Sequence, residues 1–309
     1  MIEDISIISK QIGVVLSTRQ LDKHPHLRKN NRIHSIQSSL AIENNSLTLS
    51  QVTDIVNGKP IIGPAKDIRE VKNAIRAYDE LDTFNPFSKE DLLKAHGILM
   101  DALVEKPGEL RTVGVGVFSG ETCVHLAPPA ALVPTHIDNL LEWCKTTEVH
   151  PLIQSSVFHF ELEFVHPFVD GNGRLGRLWQ ILLLSKWEPM FVWIPIESMI
   201  LERQQEYYQA LNTSGKRGNS TIFVEFMLQT IRETLEKLSK ESDIDGLTRQ
   251  EQAVIQNIRQ NPEITIRELS ETLQLSIKQV RSIMDTLKKN GILEHVGSTK
   301  SGYWKITVQ

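Results

Sequence analysis

The sequence predicts a mainly α-helical protein of two domains carrying two short β elements. Apolar residues recur at helical spacing over most of the 309 residues, the primary signal for amphipathic helices. Only two stretches, 111–126 and 292–308, alternate as strands around a polar turn. From Thr248 onward three helix starts repeat one device, Thr248-x-x-Glu251, Thr265-x-x-Glu268 and Ser276-x-x-Gln279, each a capping box in which side chain and backbone satisfy each other's orphan donors. A chain of this length suits two domains at ~100 to 200 residues each.

Composition narrows the class. Hydrophobic residues make up 40% and charged residues 23%, as in ordinary globular proteins. No apolar run reaches the ~18 residues a membrane helix needs, and Met1-Ile-Glu-Asp is acidic where a signal peptide is basic; the expectation is a cytoplasmic protein without a membrane partner. Cys123 and Cys144 lack metal spacing, so they read as reduced thiols. The net charge of −4 is uneven: nine Lys or Arg stand against six Asp or Glu from Gly246 onward, which points to a basic C-terminal module.

In chain order, the first sixty residues read as helices joined by polar turns. Leu27 to Arg32 forms a charged joint, and Ile33, Ile36 and Leu40 lie on one face of a helix stopped at Asn44-Asn45. Within it Ser39 and Glu43, four apart, share a face; by residue type alone that is a solvated polar stripe. Asn57-Gly-Lys-Pro and Gly63-Pro64 make a turn-rich connector. Ile68, Val71, Ile75 and Tyr78 then mark one helix, and Leu92, Leu93, His96 and Leu99 the next. Arg111 to Phe118 and Thr122 to Leu126 flank Ser119-Gly-Glu as a hairpin, which must lean on the helices because two strands alone are marginal. Further helices are expected at Val133 to Cys144 and Phe223 to Leu238, and 239–247 reads as a polar linker.

The stretch the rest serves is His166-Pro-Phe-Val-Asp170-Gly-Asn-Gly-Arg174-Leu-Gly-Arg177. Ile153, Val157, Phe160 and Phe164 precede it at helical spacing and Leu175 to Leu184 resumes an apolar run, so helix, tight loop, helix is predicted. The glycines admit positive φ, and the loop opens a helix whose first N–H groups and dipole favour a phosphate. Arg174 and Arg177, three apart, share a face and have forks suited to phosphate oxygens. Asp170 suits the Mg²⁺ that accompanies a triphosphate. His166 suits a base near neutral pH.

At every signature position this segment resembles the HPFx(D/E)GNGRxxR motif of Fic proteins, and the resemblance extends over about Ile33 to Leu238. It implies a Fic-type helical domain within residues 1–238 that moves AMP from ATP to a Ser, Thr or Tyr hydroxyl of a target protein. His166 is then the base and Asp170 the Mg²⁺ ligand, with Gly171, Asn172, Gly173, Arg174, Leu175, Gly176 and Arg177 against the nucleotide. The hairpin near 111–126 resembles the flap that holds the target by strand addition, with Cys123, Val124, His125 and Leu126 lining the cleft. Tyr207 falls in the segment that closes over adenine. Ser39 to Asn44 resembles the (S/T)xxxE(G/N) inhibitory motif, which implies that Glu43 pairs with Arg177. Residues 248–309, three helices and two strands, resemble the winged helix-turn-helix of bacterial regulators. Its third helix offers Lys278, Arg281 and Lys288, and both DNA and protein are open as its partner. The remaining alternatives are a DNA-binding regulator whose Fic domain only senses nucleotide, and a Fic enzyme that transfers another phosphate-containing group or removes AMP. A homodimer is among the open assemblies.

Overall fold

A computed structural model describes residues 1–19, 25–119, 122–240, 247–297 and 302–307. Its helices are α1 (Ile2–Arg19), α2 (Pro25–Ile42), α3 (Leu49–Val56), α4 (Ala65–Asp79) and α5 (Lys89–Leu99), followed by strands β1 (Gly116–Ser119) and β2 (Thr122–Leu126). Helices α6 (Val133–Thr146), α7 (Pro151–Val165), α8 (Asn172–Trp187), α9 (Ile196–Glu202), α10 (Gln204–Arg217) and α11 (Thr221–Lys240) come next. The chain closes with α12 (Arg249–Gln260), α13 (Ile266–Leu273), α14 (Ile277–Lys289), β3 (Leu293–Val296) and β4 (Tyr303–Ile306). The mainly helical class is as the pattern predicts. Contacts divide the chain into two units, Met1–Ile12 with Asn31–Glu236 and Gly13–Asn30 with Lys237–Gln309. The expected linker falls mostly on 241–246, outside the described residues.

In the larger unit α7 and α8 pack along each other, joined by the short loop that the glycines predict. α8 is buried nearly all round, with Leu175, Leu178, Trp179, Leu182 and Leu184 fully buried, which marks it as the central helix. Trp179 fills the middle: its ring lies 6.1 Å from Phe84 and 6.4 Å from Phe158, and its Nε1 donates to the Pro86 carbonyl at 3.0 Å. Ile33, Ile36 and Leu40 of α2 join the same core. The charged joint expected at Leu27 to Arg32 lies inside α2. Arg and Lys are good helix formers, and here Lys29 is exposed while Arg28 and Arg32 are half-buried, so charge alone does not break a helix.

The hairpin is shorter than expected. Its antiparallel register pairs Gly116 with Leu126 and Val117 with His125, with a bulge between Val117 and Phe118. Arg111 to Val115 is not strand, because the Arg111 side chain is drawn inward by carbonyl groups described below.

In the smaller unit all three capping boxes form, with Thr248, Thr265 and Ser276 each accepting from the backbone three residues on and receiving the return bond. Val254, Ile255, Ile258, Leu269, Val280, Met284 and Leu287 build its core with Ile292 and Leu293. β3 pairs with β4 in antiparallel register, Leu293 opposite Ile306; Val308 lies outside the described residues.

Replacing Trp179 by Ala removes the largest fully buried side chain and should cost about 3 to 5 kcal/mol, read as a lowered midpoint in denaturant unfolding. A cost below about 1 kcal/mol would show that the core is not organised around this ring.

Candidate active site

The loop between α7 and α8 is shaped from outside as much as by its own glycines. α7 ends at His166, which adopts the left-handed conformation (φ 49, ψ 61), a costly choice for a residue with Cβ. Arg111, buried, holds it there: Nε donates to the His166 carbonyl at 2.7 Å and the Arg111 amide to the Pro167 carbonyl at 2.9 Å. The guanidinium also reaches the carbonyls of Val113, Pro128 and Val165. His96 supports the far side. It accepts from the Gly108 amide at Nδ1, so its Nε2 carries the hydrogen and donates to the Asp170 carbonyl at 2.9 Å, while its ring stacks on Phe168 at 3.6 Å. Burial lowers its pKa to about 4, so the ring is neutral. Asn172 closes the loop, accepting from the Phe168 amide at 3.0 Å and donating to its carbonyl at 2.9 Å.

Gly171 sits at φ 88, where a Cβ would lie 2.6 Å from Met100 Sδ. At Gly173 a Cβ would collide with Glu43 Oε1 and crowd Arg177 Nη1 and Glu163 Oε1, at 3.0 and 3.1 Å. Both glycines are thus demanded by close approach.

Arg174 and Arg177 are both buried, and each is held by a carboxylate from elsewhere. Arg177 Nη2 pairs with Glu43 Oε1 at 2.7 Å, and its Nε and Nη2 donate to the Ser39 hydroxyl and carbonyl, each at 3.0 Å. Burial opposes the charge on Arg177, yet Glu43 beside it holds its pKa above the ordinary value. Its Nη1 has no hydrogen-bond partner among the described residues. Arg174 Nη1 donates to Glu70 Oε1 at 3.0 Å and Nη2 to Asp170 Oδ1 at 2.9 Å. The other Glu70 oxygen accepts from Asn45 Nδ2 at 2.7 Å, two residues from Glu43.

Beside them lies a cavity of about 860 Å³. Its lining combines Glu43, Glu163, His166, Asp170 and Gly171 to Gly173 with Phe160, Phe164, Leu211, Asn212 and Gly215, a set that offers places both for an anion and for a flat apolar ring. Among the described residues no three His, Cys, Asp or Glu side chains come together to hold a metal. Asp170, about half exposed, is one carboxylate, and it fits a Mg²⁺ whose remaining ligands are phosphate oxygens and water.

Some expected residues lie elsewhere. Leu175 is fully buried in the main core and Gly176 packs on His159, so neither faces the cavity: the helical turn after Arg174 rotates them to the opposite side. Tyr207 lines the cavity but only 1% of it is exposed, and its hydroxyl meets His159 Nε2 at 3.1 Å. The neighbouring Tyr208 is half-exposed and donates to the Ile42 carbonyl. Leu126 lines the cavity and is 77% exposed. Cys123, Val124 and His125 lie on β2, with their side chains outside what is described; Cys144 is a free, buried thiol. Arg111, His96 and Glu70 were not read as site residues, because no local spacing ties them to the signature; Glu163 was missed too, although it stands one turn before His166.

Comparison with known proteins follows this geometry. Residues 86–184 match the model of the Fic/DOC family and residues 247–294 that of a winged helix-turn-helix DNA-binding domain. A solved Fic family protein from Desulfovibrio desulfuricans is 38% identical, with 99% of this chain and 95% of that one covered at a TM-score of 0.74. Protein adenylyltransferase fic-1 of Caenorhabditis briggsae is 29% identical over 207 residues, and protein adenylyltransferase Fic of Nematostella vectensis 26% over 216. The matches take in 62% and 65% of this chain but only 38% and 47% of those relatives.

The buried histidines generate a pH prediction. Burial lowers His159 to about 3 and His96 to about 4, below the ~6.5 of an unfolded chain. Each contributes stability that is present above about pH 6.5 and lost as pH falls toward its folded value, because the unfolded state takes up the proton first. Glu163, raised from 4.5 to about 7 by burial and then by Glu43, acts with the opposite sign, its contribution being lost as pH rises through 7. Comparing His159→Gln with wild type isolates the histidine: the fall in denaturation midpoint between pH 6.5 and 4 should be shallower in the variant. Parallel pH profiles would refute it.

Proposed function

Since the chain belongs to the Fic family, we propose that it is a protein adenylyltransferase that moves AMP from ATP to a protein hydroxyl and is held in check by Glu43. The observation that carries this reading is that a histidine and a helix N-terminus line one cavity, beside two buried arginines paired with its lining residues Glu43 and Asp170. The arrangement suits in-line transfer at a phosphate, where a protein contributes mainly orientation and charge neutralisation.

In the proposed reaction a target Ser, Thr or Tyr hydroxyl attacks the α-phosphate. His166 takes its proton, a P–O bond forms to the target, and pyrophosphate leaves. The Gly171 to Gly173 amides cradle phosphate at the start of α8, Asn172 keeps the turn closed, and Arg174 and Arg177 grip the outer phosphates. A Mg²⁺ held by Asp170 would neutralise charge on the phosphates. The hairpin beside the cleft supports the reading that the target segment adds as a strand there. The apolar part of the cavity lining, with Phe160, Phe164 and Leu211, suits a base.

The Glu43–Arg177 pair supports autoinhibition. While Glu43 occupies Nη2, that donor is closed to a γ-phosphate, so ATP is held in a pose unsuited to attack. Removing the carboxylate leaves a buried cation short of its partner and open to phosphate. Glu43→Gly should therefore raise transfer of label from ATP, first as self-labelling. His166→Ala in that background should lower it by ~10² to 10⁴-fold, the range of a general base. Glu43→Gly that folds but labels no faster than wild type defeats the autoinhibition; undiminished labelling by His166→Ala defeats the base.

For the smaller unit we propose duplex DNA as partner, supported by α14, on which Lys278 and Arg281 are exposed. Lys288 is otherwise engaged: its Nζ lies 3.4 Å from Asp285 Oδ1 and over the Trp304 ring. Arg281→Ala should weaken binding and reduce the salt slope by about 1 if it meets a phosphate. Unchanged affinity and slope, read by fluorescence anisotropy across a salt series, would place any nucleic-acid site elsewhere.

A further inference from the structure

Glu163 has no part in the signature, yet it stands at the centre of the site. It lies one turn before His166 on α7, and its side chain is 15% exposed. Its Oε2 is 4.0 Å from His166 Nδ1, and its own backbone carbonyl lies 3.4 Å from the same nitrogen. Both face one ring nitrogen. A carbonyl oxygen can only accept, so Nδ1 donates and carries the ring hydrogen, which leaves Nε2 as the nitrogen without one.

The charge state of Glu163 follows from its neighbours. Ser156 donates to the Leu152 carbonyl, Gln180 Nε2 donates to Ser156, and Gln180 Oε1 therefore accepts from His159 Nδ1 at 2.7 Å. His159 Nε2 is then an acceptor, satisfied by the Tyr207 hydroxyl at 3.1 Å. Tyr207 thus spends its hydrogen on His159. Glu43, His166, Arg177, Tyr207 and Tyr208 face the carboxyl from the neighbouring elements. Burial, then Glu43, push it up to about 7, with Arg177 and Tyr207 acting against the rise. Glu163 is thus a carboxyl that changes charge in the range where an imidazole does.

We propose that Glu163 is a positioning residue for His166: it keeps the ring hydrogen on Nδ1, so that Nε2 is the acceptor, and it faces the imidazolium formed when Nε2 takes a proton. The second role rests on the adenylyltransferase reading; the first does not.

The test uses the full chain and Glu163→Gln, whose amide keeps the volume but can offer Nδ1 a donor and carries no charge. The ring tautomer and titration of His166 are read by long-range proton–nitrogen NMR, with the signal assigned by its loss in His166→Ala. In wild type the hydrogen is expected on Nδ1. In Glu163→Gln it should shift toward Nε2, and the midpoint of the ring should fall by about one pH unit, the low end of what a nearby opposite charge contributes. In the Glu43→Gly background, Glu163→Gln should lower kcat for AMP transfer roughly tenfold and move the acid limb of kcat to lower pH, with KM for ATP unchanged within about twofold. An unchanged tautomer and midpoint would overturn the proposal, as would a loss carried by KM alone. A Glu43→Gly parent that transfers no label would overturn the adenylyltransferase reading instead, and the NMR result would still decide whether Glu163 positions the ring.

Discussion

A guanidinium shut away from water is the constraint on which this site depends. Arg177 lies on the central helix with only about 2% of its surface exposed, and a buried charge without compensation costs several kcal/mol. Its compensation comes from a distant part of the chain, the hydroxyl and carbonyl of Ser39 and the carboxylate of Glu43. The pairing brings the C-terminal end of α2 against the first turn of α8. It also explains Gly173, because Glu43 fills the space a side chain would need. One donor, Nη1, is left over, so the arginine is neutralised but not saturated. That is the state expected of a group that exchanges one anionic partner for another.

The loop between α7 and α8 shows a related economy. A left-handed histidine and two close-packed glycines form a strained turn, and strain of this kind persists only where surroundings over-determine it. Here Arg111 holds the His166 carbonyl, His96 the Asp170 carbonyl, and Asn172 both polar groups of Phe168. The result is a first helical turn whose Asn172 and Gly173 line the cavity in a fixed conformation, the kind of preorganisation that phosphate chemistry rewards. Glu70 connects the surroundings of the two arginines, since its two oxygens engage Arg174 and Asn45, the latter two residues from Glu43.

The smaller unit is built on different terms. Its helices are started by local capping boxes and closed over a compact aliphatic core. Among the described residues nothing in that core depends on a buried charge. Such a module is stabilised by short-range signals, which is why its three helix starts could be read residue by residue.

What the sequence determined by itself was whatever is local. The helix–loop–helix around 166–177, the three capping boxes, the two turn-bracketed strand pairs and the shared face of Ser39 and Glu43 all follow from spacings of a few residues, where geometry and side-chain chemistry act within one turn. The first strand of the hairpin was read too long because Arg111 has β-compatible neighbours, and only the packed structure shows its side chain drawn toward four carbonyls; the second runs over Thr122–Leu126 as read. Leu175 and Gly176 were drawn to the nucleotide by adjacency to the signature, whereas the pitch of α8 turns them into the core. Tertiary structure alone decided the partners of the buried ions and of the loop: that Arg174 is held by Glu70, more than a hundred positions away, and that His96 supports Asp170. A buried charge selects its partner by proximity in the folded chain, and proximity between distant segments leaves no periodicity in the sequence.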